Sequence, residues 1–117
     1  MSTIHENEVQ WLELSGRRCR VIVGGPQIKA DHITFGVTEV PPRTRMLPHT
    51  HHREEEVIYI LKGWGEVVVN GTVEPIREGT AIYLPVGSEH CVENKSEEVM
   101  RFTFAFSPPA RIGSYDS

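Results

Sequence analysis

The segment His49-Thr50-His51-His52-Arg53-Glu54-Glu55-Glu56-Val57-Ile58-Tyr59-Ile60-Leu61-Lys62-Gly63 joins two features that belong together only in β structure. His49 and His51 stand two apart, so on an extended strand both imidazoles leave the same face. A helix would set them about 200° apart, since each residue turns roughly 100°. After Glu56 the run Val57-Ile58-Tyr59-Ile60-Leu61 is rich in β-branched and aromatic residues and stops at Lys62-Gly63. That run favours a strand over any helix begun at Glu54-Glu55-Glu56. Alternation then places Glu56, Ile58 and Ile60 on one face and Val57, Tyr59 and Leu61 on the other.

The same grammar extends in both directions. Strands are expected over Val9–Leu14, Arg20–Val23, His32–Val40, Leu47–His51, Glu56–Leu61, Glu66–Val69, Val73–Ile76, Ala81–Leu84, His90–Glu93 and Val99–Phe106. Asn70-Gly71 between two of them is a strong hairpin signal. Many short strands punctuated by Gly and Pro argue for a sandwich or barrel. The expected organisation is a single domain over 1–117, with a core barrel over about 8–106 and an irregular tail over 107–117. His5 falls in a leader expected to be disordered.

Composition removes several classes of function. The chain has 117 residues and a formal net charge of −4, which gives no reason to expect nucleic acid or an anionic membrane as partner. No apolar run approaches the roughly 20 residues of a membrane helix. The first residues lack the basic start and apolar stretch of a signal peptide. Cys19 and Cys91 are too few for a disulfide framework and match no zinc spacing. The expectation is a cytoplasmic protein with reduced thiols.

A second stretch completes the chemistry: Gly79, Pro85-x-Gly87, His90 and Asn94. If the strands close on one another, His49, His51, Glu56 and His90 enter one interior. Three imidazoles and a carboxylate are ordinary ligands for a divalent first-row metal. With these residues in view, the chain resembles a small single-domain cupin. That family's first motif, G(X)5HXH(X)3–4E(X)6G, is matched by His49, His51, Glu56 and Gly63, but its opening glycine position holds Arg43. The second, G(X)5PXG(X)2H(X)3N, is matched by Gly79, Pro85, Gly87, His90 and Asn94.

The resemblance implies an all-β, cupin-type jelly-roll barrel holding one divalent transition metal (manganese, iron, nickel or zinc) through His49, His51, Glu56 and His90. It implies a structural strand-end role for Asn94. Around that set, Tyr83 shares a face with Ala81 and Pro85 and stands either as an acid or hydrogen-bond donor to the pocket or as core packing. Glu56 is a candidate base as well as a ligand. Arg45 has the parity of His49 and His51, so it reaches back to a substrate carboxylate or phosphate or lies on a solvated rim; Pro48 can bend the strand and break that parity. His52, Glu54 and Glu55 are expected in solvent, and Cys91 packed away from the metal. Trp64 is expected in a turn, as a pocket cap, an interface residue or a half-exposed ring. Phe102, Phe104 and Phe106 are expected as interior wall.

Two classes of function stand open. One is an enzyme acting on a small oxygen-rich molecule, such as a sugar derivative or a hydroxy or oxo acid. Its chemistry is Lewis-acid (isomerase, epimerase, lyase or decarboxylase) or, alternatively, metal-dependent dioxygenase chemistry. The other is a binding or sensing module without turnover. A homodimer is expected from the resemblance, with Val9-Gln10-Trp11-Leu12 as an exchanged or interface strand.

Overall fold

The computed structural model describes residues 2–109. Among these, a 3-10 turn at Glu6–Glu8 precedes ten strands: β1 (Leu12–Leu14), β2 (Arg17–Val23), β3 (Thr34–Val40), β4 (His49–Thr50), β5 (Glu55–Lys62), β6 (Gly65–Val69), β7 (Thr72–Ile76), β8 (Ala81–Leu84), β9 (Glu89–Asn94) and β10 (Met100–Ser107). They form two antiparallel sheets, six strands in the order β1-β2-β3-β10-β5-β8 and four in the order β4-β9-β6-β7. This is the jelly roll that the family resemblance implied, within the sandwich-or-barrel class that the strand pattern argued for. The part of the expected tail from residue 110 onward lies outside the described residues.

The core sits between the sheets because alternate side chains along the strands face inward and most of those are apolar. On β10, Met100, Phe102, Phe104 and Phe106 are buried, while their register partners on β5 are Ile60 for Phe102, Ile58 for Phe104 and Glu56 for Phe106. The four-stranded sheet contributes Val67, Ile76 and Val92 to the same cluster. Each such side chain, moved out of water, contributes roughly 1.5–3 kcal/mol. The three phenylalanines are the wall they were expected to be. Asn70 and Gly71 close the β6–β7 hairpin with φ of 48° and 84°, the paired positive values that a two-residue type I′ turn demands.

The N-terminal segment departs from expectation. Residues 9–11 are not strand, and the leader is ordered by a network on the outer face of the six-stranded sheet. His5 caps the 3-10 turn, accepting a hydrogen bond from the Asn7 amide, while Glu8 accepts one from the His5 amide. Glu6 then pairs with Arg20 at 2.8 Å and with Arg101, and Glu39 joins Arg18 at 2.8 Å to Arg101 at 2.9 Å. Trp11 lies between two guanidiniums, with Arg18 and Arg20 each 4.1 Å from its ring centroid. Cation–π attraction and apolar stems make this clamp. Trp11, part of the segment expected as an exchanged or interface strand, is thus engaged by its own chain, and Leu12–Leu14 pairs with its own β2.

Candidate metal centre

The centre is assembled across both sheets. β4 and β9 of the small sheet are antiparallel neighbours with His49 opposite His90, and His51 follows just beyond the end of β4. Glu56 comes from the large sheet, second residue of β5, on the inward face with Ile58 and Ile60. One ligand atom from each of His49, His51, Glu56 and His90 lies within 4.8 Å of the others. His51, Glu56 and His90 are buried.

Their orientation is set from behind. Nδ1 of His49 lies 3.1 Å from the Leu47 carbonyl and Nδ1 of His90 3.4 Å from the Ser88 carbonyl, each two residues upstream. A carbonyl can only accept, so it fixes the proton on Nδ1 and leaves Nε2 with its lone pair. Nε2 of His90 is buried and has no hydrogen bond of proper geometry, and the same is true of Glu56 Oε1. That oxygen lies 3.3 Å from Nε2 of both His51 and His90. Buried polar atoms converging on one point without satisfying each other fit a cation that accepts all of their lone pairs. Phe106 packs edge-on against the His51 ring at 4.5 Å and limits its rotation.

Electrostatics keep His49 and Glu56 in their ligating forms. Burial pushes the His49 pKa down to about 4, helped by the neighbouring His90, so its ring is neutral at pH 7. Burial acts to raise the Glu56 pKa, but the His51 and His90 imidazoles outweigh it and hold the carboxyl below its ordinary value. A small cavity of about 40 Å³ opens beside the four groups, with Phe102, Phe104 and Phe106 in its wall.

Two candidates for the pocket are placed elsewhere, Arg45 on the solvated side that was its alternative and Tyr83 in neither of the positions considered for it. Tyr83 is 58% exposed on the outer face of β8, where its hydroxyl donates to Glu55 at 2.9 Å. The cause is register: Leu84 pairs with Glu56 and points inward, so Tyr83 pairs with Val57 and points outward. Arg45 is also exposed, its guanidinium 3.5 Å from the Cys91 sulfur and on the opposite side of the chain from Met46, which lines the cavity. The chain switches faces across Leu47-Pro48, so the parity linking Arg45 to His49 is broken there.

Other side chains complete the account. Trp64 is 55% exposed in its turn and is not part of the cavity wall. His52 is exposed, and Cys91 is buried next to His90, both as expected. Glu54, expected in solvent, is buried at 5% exposure with a carboxylate oxygen 3.9 Å from His51 Nδ1. Its even parity with Glu56, Ile58 and Ile60 was the available signal. Arg17 lines the cavity as well, and its parity with Cys19 and Val21 on β2 was the clue to it.

Comparison with known proteins agrees with this geometry. Residues 36–106 match the family model Cupin_2, the cupin domain. The chain belongs to the cupin family. Over 77 residues it is 36% identical to a mannose-1-phosphate guanylyltransferase of Escherichia coli, a match covering 66% of this chain and 15% of that protein. Over 91 residues it is 31% identical to the dimethylsulfoniopropionate lyase DddW of Ruegeria pomeroyi, covering 77% of this chain and 58% of the lyase. The chain thus spans less than two thirds of either relative. Among solved structures, a predicted oxalate decarboxylase from Thermotoga maritima superposes with a TM-score of 0.80 at 21% identity, covering 91% of this chain and 98% of that one. The polyketide cyclase RemF from Streptomyces resistomycificus gives 0.79 at 25% identity, covering 99% and 84%.

Proposed function

We propose that His49, His51, Glu56 and His90 hold one divalent transition metal, and that the chain is an enzyme acting on a small oxygen-rich molecule by isomerase, lyase or decarboxylase chemistry. The observation that carries this reading is the convergence of four ligand atoms within 4.8 Å at a largely buried point beside a cavity. Bound there, the metal supplies Lewis acidity toward a carbonyl or hydroxyl oxygen. Among the relatives, the lyase DddW supports the lyase form of this reading.

The chain's own residues do the rest. His49 and His90, their Nδ1 protons held by the Leu47 and Ser88 carbonyls, present fixed lone pairs to the centre. Glu56, ionised at neutral pH, is the carboxylate beside the cavity and accepts a substrate proton at its oxygen when not ligating. The phenylalanine wall keeps bulk water out and strengthens every charge inside. Tyr83 and Arg45 have no part in this chemistry. Protein purified without a polyhistidine tag should carry one metal ion per chain, and His51→Ala should lose it. Wild-type protein that stays metal-free after incubation with manganese, iron, nickel and zinc in turn would sink the reading.

Two copies pair through the outer face of β5 and β8. Supporting this, Val57, Tyr59, Leu61 and Tyr83 stand 44–58% exposed on that face. Sedimentation at micromolar concentration should give a dimer that Val57→Glu dissociates; a wild-type monomer refutes the pairing.

A further inference from the structure

We propose that Arg17 is the anion-recognition residue of the cavity and that the substrate it selects is a small carboxylic acid. The inference rests on the metal-binding reading above and narrows its substrate class. Arg17 opens β2 on the inward face, in phase with the buried Cys19 and Val21. It shares the cavity wall with Cys19 and the four ligand residues. Among the described residues of that wall, Arg17 is the one arginine or lysine.

Its place is built, not incidental. The turn into β2 passes so close to the strand connection that a Cβ on Gly16 would lie 2.9 Å from the Arg45 carbonyl oxygen and 3.3 Å from Met46 Cα. Gly16, with φ of 74°, takes a conformation that other residues adopt at a cost. Arg17 Nη1 then donates to the Ser15 carbonyl at 3.1 Å, which restrains the side chain at the rim.

Charge and size together choose the ligand. Glu56 and the buried Glu54, 3.9 Å from His51, together offset the charge of a divalent cation, so Arg17 is the net positive group at the cavity. A neutral polyol would bring no charge to match this field, whereas a carboxylate matches both the charge and the planar guanidinium fork. The volume of about 40 Å³ leaves room for only a few atoms beyond the cation. The fitting molecule has an oxygen for the metal and a carboxylate for Arg17, a few bonds apart.

Glycolate and glycolamide test this, being nearly the same shape and differing by one negative charge. Their affinities for zinc-loaded protein are measured by calorimetry, with zinc content determined on every sample. Arg17→Gln should weaken glycolate about tenfold while leaving glycolamide within about twofold, and Arg17→Lys should recover part of the loss. Equal weakening of both probes, or no change in glycolate, overturns the proposal. Should wild-type protein take up no zinc, it is the metal reading that fails. Glycolate is then titrated into metal-free protein while the Arg17 side-chain N–H resonance, assigned by its loss in Arg17→Lys, is followed by NMR. Movement of that signal supports the anion site, and a signal that stays fixed overturns it. If Arg17→Gln does not fold, the Arg17→Lys affinity for glycolate decides: a value equal to wild type, with glycolamide also unchanged, counts against the fork.

Discussion

His49 and His90 face each other across the β4–β9 pair, their rings meeting edge to face with centroids 4.2 Å apart. Each ring is backed by the carbonyl two residues upstream, so a single device used twice aims both imidazoles at one point. Protonating either ring sets its positive charge against the other and removes a lone pair from the centre. The His49 ring is therefore built to stay neutral.

That neutrality makes folding sensitive to acid. The folded-state pKa of His49 is lowered from 6.5 to about 4, chiefly by burial, while the unfolded chain keeps the ordinary value. As pH falls the unfolded state takes the proton first, so the stability tied to neutral His49 is full above pH 6.5. It drains between 6.5 and 4, by an amount on the order of 3 kcal/mol. Urea unfolding of metal-stripped wild type and His49→Gln at pH 7 and pH 4.5 checks this. The wild type should lose distinctly more stability; parallel losses count against it.

Asn94 holds the far end of β9 and is completely buried. Its amide nitrogen donates toward the carbonyls of Val40, Pro41 and Glu98 at 2.8–3.0 Å, and its oxygen accepts from the Ser96 amide and hydroxyl at 2.9 and 2.7 Å. Asn94→Ala removes all five of those bonds, while the Glu98 carbonyl keeps a side-chain donor in the Ser96 hydroxyl at 3.0 Å. The expected loss is about 2–4 kcal/mol by chemical denaturation. A loss below about 1 kcal/mol would show that water replaces the side chain at little cost.

Arg43 occupies the place where the family's first motif has glycine, and its φ is 51°. The backbone thus keeps the left-handed turn although the residue has a Cβ, at a strain of roughly 1–2 kcal/mol. Its ion pair with Glu97 joins two highly exposed side chains and contributes little. Arg43→Gly should leave the protein as stable or up to about 1 kcal/mol more stable, because relief of strain offsets glycine's entropy. A drop in thermal midpoint of several degrees contradicts that expectation.

Tyr83→Phe should change neither metal content nor stability by more than about 0.5 kcal/mol, since it removes only one exposed hydrogen bond to Glu55. Loss of metal in this variant would mean that the phenol reaches the centre after all.

The resident information in the chain was uneven. Alternation through Glu56–Leu61, the Asn70-Gly71 turn and the spacing of His49, His51, Glu56 and His90 are local patterns, and local patterns survive in a sequence. The order of strands around the barrel was suggested only through the family resemblance. Glu54 was legible in principle, because its parity matches Glu56, but a run of three acids reads as solvated until the neighbouring fold closes over it.

What the amino-acid order determined by itself was the β grammar, the candidate ligand residues and the turn chemistry, because each depends on steric and bonding preferences within a few residues. What only tertiary structure decided was which side chains share the cavity with those ligands. Pairing Leu84 with Glu56 turned Tyr83 outward, the switch of face across Leu47-Pro48 took Arg45 away, and the close passage of Gly16 beside Arg45 brought Arg17 in. The reason is that a strand's period of two carries no memory across a bend, so register between distant segments assigns the faces anew.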